Sequence, residues 1–265
     1  MNLTKDNLTF LVWADTHFGY DPQPGSSDHR RDIVQQMAHL PGRPYPPEVG
    51  GSVDAPRLII HCGDLVNGSG DGEVALAGYL QCIQGIDIPS FETLGNHDNV
   101  YPHVVDWFVR KHGSKYYSFD REGIHFICLY QTFDKSEKVQ TLDDEQLLWL
   151  AEDISQAGKP VVIFAHDRLD NLPNAEAVDS VLTKANVILM FSGHSHLQIK
   201  KPASYYKWKG RTGIITGHCR NYWNQRVDPP SGRIIMVARI TDQEVVCVPW
   251  RWDLGQWAQH CEEKP

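Results

Sequence analysis

The stretch Pro89–Asp98, with the sequence PSFETLGNHD, decides how the rest of the chain is interpreted. Its first six residues are rich in β-formers and predict a short strand. A helical pattern opens at Pro102, so Gly95–Asp98 lies on a strand-to-helix turn, where Gly95 permits a sharp bend. Open α/β sheets bind ligands at the carboxyl ends of their strands. Taken alone, the turn is either a ligand site or an ordinary polar turn, because Asn, Asp and Gly are common turn formers.

Four more apolar runs predict buried strands, at residues 8–14, 57–62, 160–165 and 186–191. Helical patterns lie between the strands, at about 28–40, 72–83, 102–111, 141–156 and 175–184, with Asp28 as the expected N-cap of the first. Further strands are predicted at 115–120, 123–130, 204–208, 212–216, 233–240 and 244–250. This alternation indicates an α/β fold with a mixed sheet system and helices outside, in which two sheets could pack together.

Size and composition favour one domain over residues 1–265, because no linker or internal repeat divides the chain. Two regions stand apart, a Gly/Pro-rich insertion at about 19–54 and a strand-rich part from about 200. A loop as long as the insertion predicts either a lid over a site or a decorative surface segment. The net charge of −8 argues against a broad basic surface for nucleic acid.

The six cysteines are scattered without a C-x-x-C pair, which favours buried free thiols over a disulfide framework or a zinc knuckle. No apolar run approaches the ~18–20 residues of a membrane span. The first residues lack an apolar signal segment, so a cytoplasmic location is expected unless a leader has been removed. The oligomeric state is left open.

Each of the five apolar strands ends in residue types that bind metals. They are Asp15 and His17, Asp64 with Asn67, Asn96 with His97 and Asp98, His166, and His194 with His196. Each group taken alone could have a purely structural role, such as a helix cap or a polar loop. Five independent coincidences at five corresponding positions are improbable, and neighbouring strand ends of one sheet lie only ~4.8 Å apart. The pattern therefore predicts one shared metal site.

As a set, these motifs resemble those of the calcineurin-like metallophosphoesterases, in the same order along the chain. The resemblance spans residues 15–196 and rests on D-x-H, G-D-x-x-N, G-N-H-D, a lone His and G-H-x-H. It implies a four-layer α/β/β/α sandwich of two mixed sheets. The usual pattern often has Asp at the position of Asn67, where an amide is expected to be tolerated.

The resemblance also implies two divalent transition-metal ions. Asp15, His17 and His196 would hold one ion, Asn96, His166 and His194 the other, and Asp64 would bridge them. Mixed nitrogen and oxygen ligands suit Mn, Fe, Zn or Co better than Ca or Mg. Ligand identity does not choose among these metals.

The implied reaction is attack by metal-activated hydroxide on the phosphorus of a phosphoester. His97 resembles the family's catalytic histidine, which stabilises charge or protonates the leaving oxygen. Asp98 is expected to orient and charge His97, or else to cap the following helix.

The substrate is less constrained than the reaction. A small phosphodiester or nucleotide-type substrate is favoured, because Arg220, Tyr222 and Trp223 could hold a phosphate and stack a base, although these aromatic residues could equally pack a core. Asp167 would add negative charge that disfavours doubly charged monoesters. The alternatives are phosphomonoester or phosphoprotein hydrolysis, and a protein-binding scaffold that retains this fold without catalysis. A membrane partner is not expected.

Overall fold

Two six-stranded mixed sheets form the centre of the computed structural model, which describes residues 7–20, 29–134, 139–196, 205–219 and 233–258. The strands are β1 (Leu8–Trp13), β2 (Ile59–His61), β3 (Ser90–Glu92), β4 (Tyr117–Arg121), β5 (Ile124–Cys128), β6 (Thr132–Asp134), β7 (Val139–Thr141), β8 (Val161–Phe164), β9 (Val187–Ser192), β10 (Tyr205–Trp208), β11 (Arg211–Ile215), β12 (Ile234–Ile240), β13 (Val245–Arg251) and β14 (Gln256–Trp257). The helices are α1 (His29–Ala38), α2 (Gly72–Ile83), α3 (Pro102–His112), α4 (Asp144–Ala157) and α5 (Ala175–Leu182).

The first sheet has the order β14-β13-β12-β1-β2-β3, and the second has the order β10-β11-β9-β8-β5-β4. In the first sheet β1, β2 and β3 are parallel, and in the second β5, β8, β9 and β11 are parallel. The remaining pairs are antiparallel, as is the separate hairpin of β6 and β7. The predicted mixed α/β architecture is therefore confirmed.

Alternating side chains of each strand determine the layers. The ring of Phe10 in β1 lies 5.5 Å from Phe126 and 5.9 Å from Phe191, both edge-to-face, so the two sheets pack against each other through aromatic side chains. On the outer face of the first sheet, Trp13 lies 6.5 Å from Tyr79 of α2. On the outer face of the second sheet, residues such as Ile163 pack with those of α4 and α5. The order is α/β/β/α, as expected.

The helix boundaries follow local capping chemistry. Asp71 accepts hydrogen bonds from the Glu73 and Val74 amides and caps α2, and Asp143 accepts one from Gln146 and caps α4. Gly113 follows the last residue of α3 and caps the helix, with a left-handed φ of 84°. Helix α1 begins at His29, and its expected cap lies outside the described residues. The β6–β7 hairpin and β14 were not predicted, because their sequences are short and polar rather than apolar runs.

The second half of the Gly/Pro-rich insertion packs away from the predicted site. Tyr45 is buried, its ring lies 4.9 Å from the Arg239 guanidinium and stacks on Trp257, and Gly50 accepts a hydrogen bond from Arg239. Arg239 pairs with Thr9 at the amino end of β1, opposite the end that carries the metal-binding motif. The lid interpretation is therefore wrong for residues 41–54.

Two sequence expectations about cysteines and membranes can be compared with the described residues. Cys62, Cys82, Cys128, Cys219 and Cys247 are buried free thiols, as expected, and Cys261 lies outside the described residues. Within the described ranges, every helix is too short or too polar to span a membrane.

Candidate metal centre

The seven predicted metal ligands meet at one end of the molecule. They are Asp15 and His17 after β1, Asp64 after β2, Asn96 after β3, His166 after β8, and His194 and His196 after β9. These strands belong to two sheets, three to the first and two to the second. The expectation that neighbouring strand ends of a single sheet would supply the site is corrected, because facing sheets bring their carboxyl ends together.

The first group of donor atoms combines two carboxylates with two imidazoles. Its members, Asp15, His17, Asp64 and His196, each offer a ligand atom within 4.8 Å of the others. Nε2 of His196 lies 3.0 Å from Asp15 Oδ1 and 3.0 Å from Nε2 of His17. Nε2 of His17 lies 3.7 Å from Asp64 Oδ2. Three of the four residues are buried, so the donors face one another away from solvent.

The second group lies on the other side of Asp64 and contains Asp64, His166 and His194. Nε2 of His166 is 3.3 Å from Asp64 Oδ2 and 3.1 Å from Nδ1 of His194. The amide oxygen of Asn96 lies 3.1 Å from the same Nε2. Asn96 thus joins this group, and Asp64 is common to both groups.

The surrounding backbone fixes which atoms of these residues face the site. Asp64 Oδ1 accepts a hydrogen bond from the His97 amide at 2.9 Å, which leaves Oδ2 facing His17 and His166. Nδ1 of His166 lies 2.9 Å from the carbonyl of Cys62. Since a carbonyl only accepts, Nδ1 of His166 carries a proton, and in the neutral ring the lone pair of Nε2 is turned toward the site.

The backbone is strained at most of these positions. Seven described non-glycine residues have a left-handed φ, and five of them are candidate ligands: Asp15 (54°), His17 (44°), Asp64 (55°), His194 (63°) and His196 (47°). This conformation costs of order 1–3 kcal/mol per residue and persists only when the surroundings enforce it. The concentration of strain at one place is an observation independent of the donor chemistry, and it also indicates a functional site.

Glycines in the motifs make room for candidate ligands that come from other strand ends. A Cβ atom at Gly95 would lie 2.2 Å from Asp64 Oδ1, and one at Gly63 would lie 2.5 Å from His166 Nδ1. A Cβ atom at Gly193 would lie 2.5 Å from Asp15 Oδ2. Gly95 is therefore required for close approach to Asp64, in addition to the bend that the sequence suggested.

His97 lies beside the shared carboxylate, with Nε2 4.0 Å from Asp64 Oδ2, and its side chain is 36% exposed. Its Nδ1 accepts a hydrogen bond from the Gly68 amide at 2.9 Å. The neutral ring therefore carries its proton on Nε2, the nitrogen that faces the site.

Asp98 does not cap the helix that follows it, which was one of the two expectations for this residue. Its two carboxylate oxygens accept hydrogen bonds from the backbone amides of Val66 and Gly95, at 2.9 and 2.8 Å. The side chain caps neither the 3-10 turn Asp98–Val100 nor α3. The carboxylate therefore ties the loop after β2 to the loop after β3.

The charges of the site are strongly coupled. Burial alone would raise the pKa of Asp64, but the neighbouring imidazoles of His166 and His17 hold it well below its usual range. Burial alone would lower the pKa of His166, but Asp64 raises it to about 10. Burial and the charge of Asp64 raise the pKa of Asp98 to about 7. The buried carboxylates thus create a place where positive charge is favoured.

Several supporting residues escaped the sequence analysis. Arg30 of α1 is buried and donates hydrogen bonds to the carbonyls of Thr16 and His17, which supports the strained turn after β1. His61 lies 3.0 Å from the Thr16 hydroxyl. Nothing in the sequence signals these two roles, because both partners come from distant segments.

His218 follows β11, and its ring lies 5.7 Å from that of His196. The pattern that marked the other sites, a histidine just after an apolar strand, also applies to Gly217-His218 and would have found it. Asn67 donates a hydrogen bond to Ser69, and Asp167 is half-buried beside His166. Arg220, Tyr222 and Trp223 lie outside the described residues.

Three solved structures are similar to this chain in fold. A dimetal phosphatase from Danio rerio has a TM-score of 0.63 at 16% identity, over 91% of this chain and 98% of that one. A 5′-nucleotidase precursor from Thermus thermophilus has a TM-score of 0.50 at 15% identity, over 91% of this chain and 53% of that one. A sulfate thiohydrolase from the same bacterium has a TM-score of 0.52 at 11% identity, over 91% and 56%. A comparison with curated proteins gave no match.

These structures share the fold, and a sequence model supplies the family. The model for the calcineurin-like phosphoesterases matches residues 8–198, about three quarters of the chain and the whole region that carries the metal-binding motifs. The protein is a metal-dependent hydrolase of phosphoric esters. It belongs to the calcineurin-like phosphoesterase family.

Proposed function

We propose that the protein hydrolyses small phosphodiesters with the help of two divalent transition-metal ions. The observation that carries this proposal is a pair of adjoining donor groups that share Asp64, with the imidazole of His97 beside them. Mn, Fe, Zn and Co are the metals that suit the mixture of imidazole, carboxylate and amide donors.

The donor groups fit such ions in spacing as well as in chemistry. Two ligands bound at about 2.1 Å to a tetrahedral ion lie about 3.4 Å apart. The closest donor-atom separations between neighbouring ligands here run from 3.0 Å, between His17 and His196, to 3.8 Å, between His17 and Asp15. Asp15, His17 and His196 would hold one ion, Asn96, His166 and His194 the other, and Asp64 both.

When bound, the ions would activate water and neutralise charge on the phosphoryl oxygens. Side chains of the protein would supply the remaining proton donation and positioning. His97 carries its proton on Nε2, the atom nearest the shared carboxylate, and is therefore arranged to donate a hydrogen bond or a proton to a phosphoester oxygen. Asp98 holds the loops after β2 and β3 together and so fixes the position of His97 relative to Asp64.

The preference for diesters follows from the charge around the site. Two dications contribute four positive charges, and the carboxylates of Asp15, Asp64, Asp98 and Asp167 supply up to four negative ones. Asp167 lies close enough to act on the charge of His194. A singly charged diester encounters less repulsion from these carboxylates than a doubly charged monoester does.

The test compares bis(p-nitrophenyl) phosphate with p-nitrophenyl phosphate in the presence of Mn, Fe, Zn or Co, alongside elemental analysis of the protein. We expect faster turnover of the diester. The substitution Asp167→Asn keeps the oxygen that accepts from the Arg168 amide and removes the charge, so it should raise the relative rate for the monoester severalfold.

Asp242→Asn, at the exposed turn after β12, is the matched control and should leave the ratio of the two rates unchanged. Faster turnover of the monoester by the wild-type protein would contradict the diester assignment. Absence of hydrolysis of both compounds with every metal would contradict phosphoester hydrolysis of small substrates altogether.

A further inference from the structure

A cavity of about 310 Å³ adjoins the second donor group and is not used by the chemistry described so far. Asn96, a candidate ligand, lines it, and so do Asn99, Val105, Lys115, Tyr130 and Phe133. The volume is at the lower end of the range for small-molecule sites, which suits one part of a substrate rather than a whole large ligand. Its continuity with Asn96 places any occupant next to the reacting phosphoryl group.

The wall of the cavity is rigidly connected to the candidate metal centre. The Tyr130 hydroxyl donates a hydrogen bond to Asn99 Oδ1 at 2.9 Å, and Asn99 Nδ2 donates one to the carbonyl of Gly95 at 2.8 Å. The backbone of Tyr130 is held on both sides by the buried side chain of Gln146, which accepts from its amide and donates to its carbonyl. The side of the cavity formed by Tyr130 and Asn99 is therefore ordered before binding, which lowers the entropy lost when a ligand is held there.

The lining combines aromatic surface with one ammonium group, that of Lys115, and one carboxylate, that of Asp106. Phe133 is half-buried, and the Lys115 ammonium lies 5.0 Å from the centre of the Tyr130 ring. Lys115 is exposed on the loop between α3 and β4, so its charge also reaches the entrance of the cavity. Aromatic rings favour planar apolar groups in offset-stacked or edge-to-face contact. An ammonium group at the entrance favours an anionic substrate.

We propose that this cavity binds an aromatic ester group of the phosphodiester, with Phe133 in contact with its ring and Lys115 attracting the anionic phosphate. The inference rests on the proposed function and adds a substrate class to it, phosphodiesters with at least one aryl or nucleoside-like ester group. Diesters with two small alkyl groups would leave the aromatic wall unfilled.

The test uses phenyl p-nitrophenyl phosphate and ethyl p-nitrophenyl phosphate, which release the same nitrophenolate. Phe133→Ala is expected to lower kcat/KM for the phenyl compound about tenfold, since an aromatic contact and its buried area are lost. If the cavity holds the retained ester group, kcat/KM of Phe133→Ala for the ethyl compound equals that of the wild type. If the cavity holds the leaving group, kcat/KM falls by the same factor for both compounds. Lys115→Gln should raise KM for both by up to about fivefold with little change in kcat.

Matched controls are Leu148→Ala, an apolar side chain 74% exposed on α4, and Lys184→Gln, an exposed lysine after α5. Neither should change kcat/KM, and the metal content of all four variants should equal that of the wild type. Unchanged kinetics in Phe133→Ala, with the wild type active on both compounds, would overturn the assignment of the cavity while leaving the proposed function intact. A wild-type protein inactive on both compounds would overturn the proposed function and this inference with it.

Discussion

Strain and close packing at single residues distinguish the candidate metal centre from an ordinary polar cluster. Five candidate ligands have left-handed backbone conformations. Three glycines lie where a Cβ atom would collide with a candidate ligand from another strand end. Such features weaken a fold, so they are retained where the position of a side chain matters more than local stability. At this scale the geometry makes predictions for individual side chains.

Substitution of His97 tests its role as a donor to the phosphoester. His97→Gln removes the imidazole but keeps the backbone amide that binds Asp64. We expect kcat on a diester to fall about 10²–10⁴-fold, the usual contribution of a general acid. The metal content measured by elemental analysis should stay unchanged, because the His97 ring lies outside both donor groups.

His39→Gln, at an exposed position just beyond α1, is the matched control and should retain full activity. Loss of metal together with activity in His97→Gln would show instead that the imidazole binds or positions an ion.

Substitution of Gly95 tests whether close approach to Asp64 is essential. In Gly95→Ala the new Cβ atom would lie 2.2 Å from Asp64 Oδ1 and 2.5 Å from the Asp64 amide nitrogen, so the shared carboxylate must move. Changes to a residue that lies against a metal ligand and helps to position it typically cost 10–100-fold in metal affinity or activity. A titration of the variant with metal, with activity as the readout, should show a loss of metal affinity of about this size.

Gly85→Ala is the appropriate comparison, because a Cβ atom there would meet its nearest neighbour at an ordinary 3.5 Å. Wild-type metal affinity in Gly95→Ala would mean that the loop relaxes without cost.

At the scale of elements, α3 and β3 are joined by a buried ionic cluster beneath the G-N-H-D turn. Glu92 of β3 is fully buried and accepts hydrogen bonds from the Tyr79 and Ser90 hydroxyls at 2.8 and 2.7 Å. Lys111 and His112 of α3 approach the same carboxylate within 2.7 and 2.8 Å. These contacts fix the end of α3 against the strand that precedes the site.

The cluster predicts a pH dependence of stability. Burial alone would raise the pKa of Glu92, but the hydrogen bond from His112 and the charge of Lys111 lower it to about 2, from an ordinary value of 4.5. A depressed carboxyl pKa contributes stability above pH 4.5 that is lost as pH falls toward 2. The shift corresponds to about 3 kcal/mol in the free energy of unfolding.

Urea denaturation should therefore show Glu92→Gln to be less stable than the wild type by about 3 kcal/mol at pH 7, and the difference should shrink between pH 4.5 and 2. Glu152→Gln, an exposed position on α4, provides the control and should be neutral. A difference independent of pH would indicate that packing, rather than the charge of Glu92, is responsible.

At the scale of the whole molecule, the candidate centre joins two sheets that elsewhere meet through aromatic packing and a few hydrogen bonds, such as the one from the Tyr117 hydroxyl to the Glu92 carbonyl. β1, β2 and β3 supply Asp15, His17, Asp64 and Asn96, and β8 and β9 supply His166, His194 and His196. Carboxylates from the first sheet and imidazoles from both sheets would share the same ions. Metal binding should therefore stabilise the entire fold and not only the loops.

Removal of metal tests this coupling. A ligand present at 100 times its Kd stabilises the folded state by about 2.7 kcal/mol, which for a chain of this size is a rise of several degrees in Tm. We expect a chelator to lower Tm by at least that much and added Mn or Zn to restore it. Asp64→Asn should abolish the response, because Asp64 is common to both donor groups, whereas Asp242→Asn should leave it intact. An unchanged Tm on chelation would exclude a stabilising role of the ions.

Much of the fold was predictable from local pattern. The α2 boundaries were predicted as they stand, and α3 extends one residue further, because helix starts and ends are marked by Asp, Pro and Gly over short distances. β6, β7 and β14 were not predicted, because two- and three-residue polar strands lack a period to detect. The role of Asp98 also escaped prediction, since its partners are amides whose direction depends on how two loops fold.

The sequence by itself determined the α/β class, the strand ends that carry ligand-type residues and the family to which they point, because these depend on residue type and short spacing. Only the tertiary structure decided that two facing sheets supply the site. It also decided that Asp64 Oδ2 lies between the two donor groups, that five of the seven candidate ligands sit in left-handed backbone, and that Gly95 makes room for Asp64. Contacts between residues distant in the chain depend on packing and backbone angles, which no local pattern encodes.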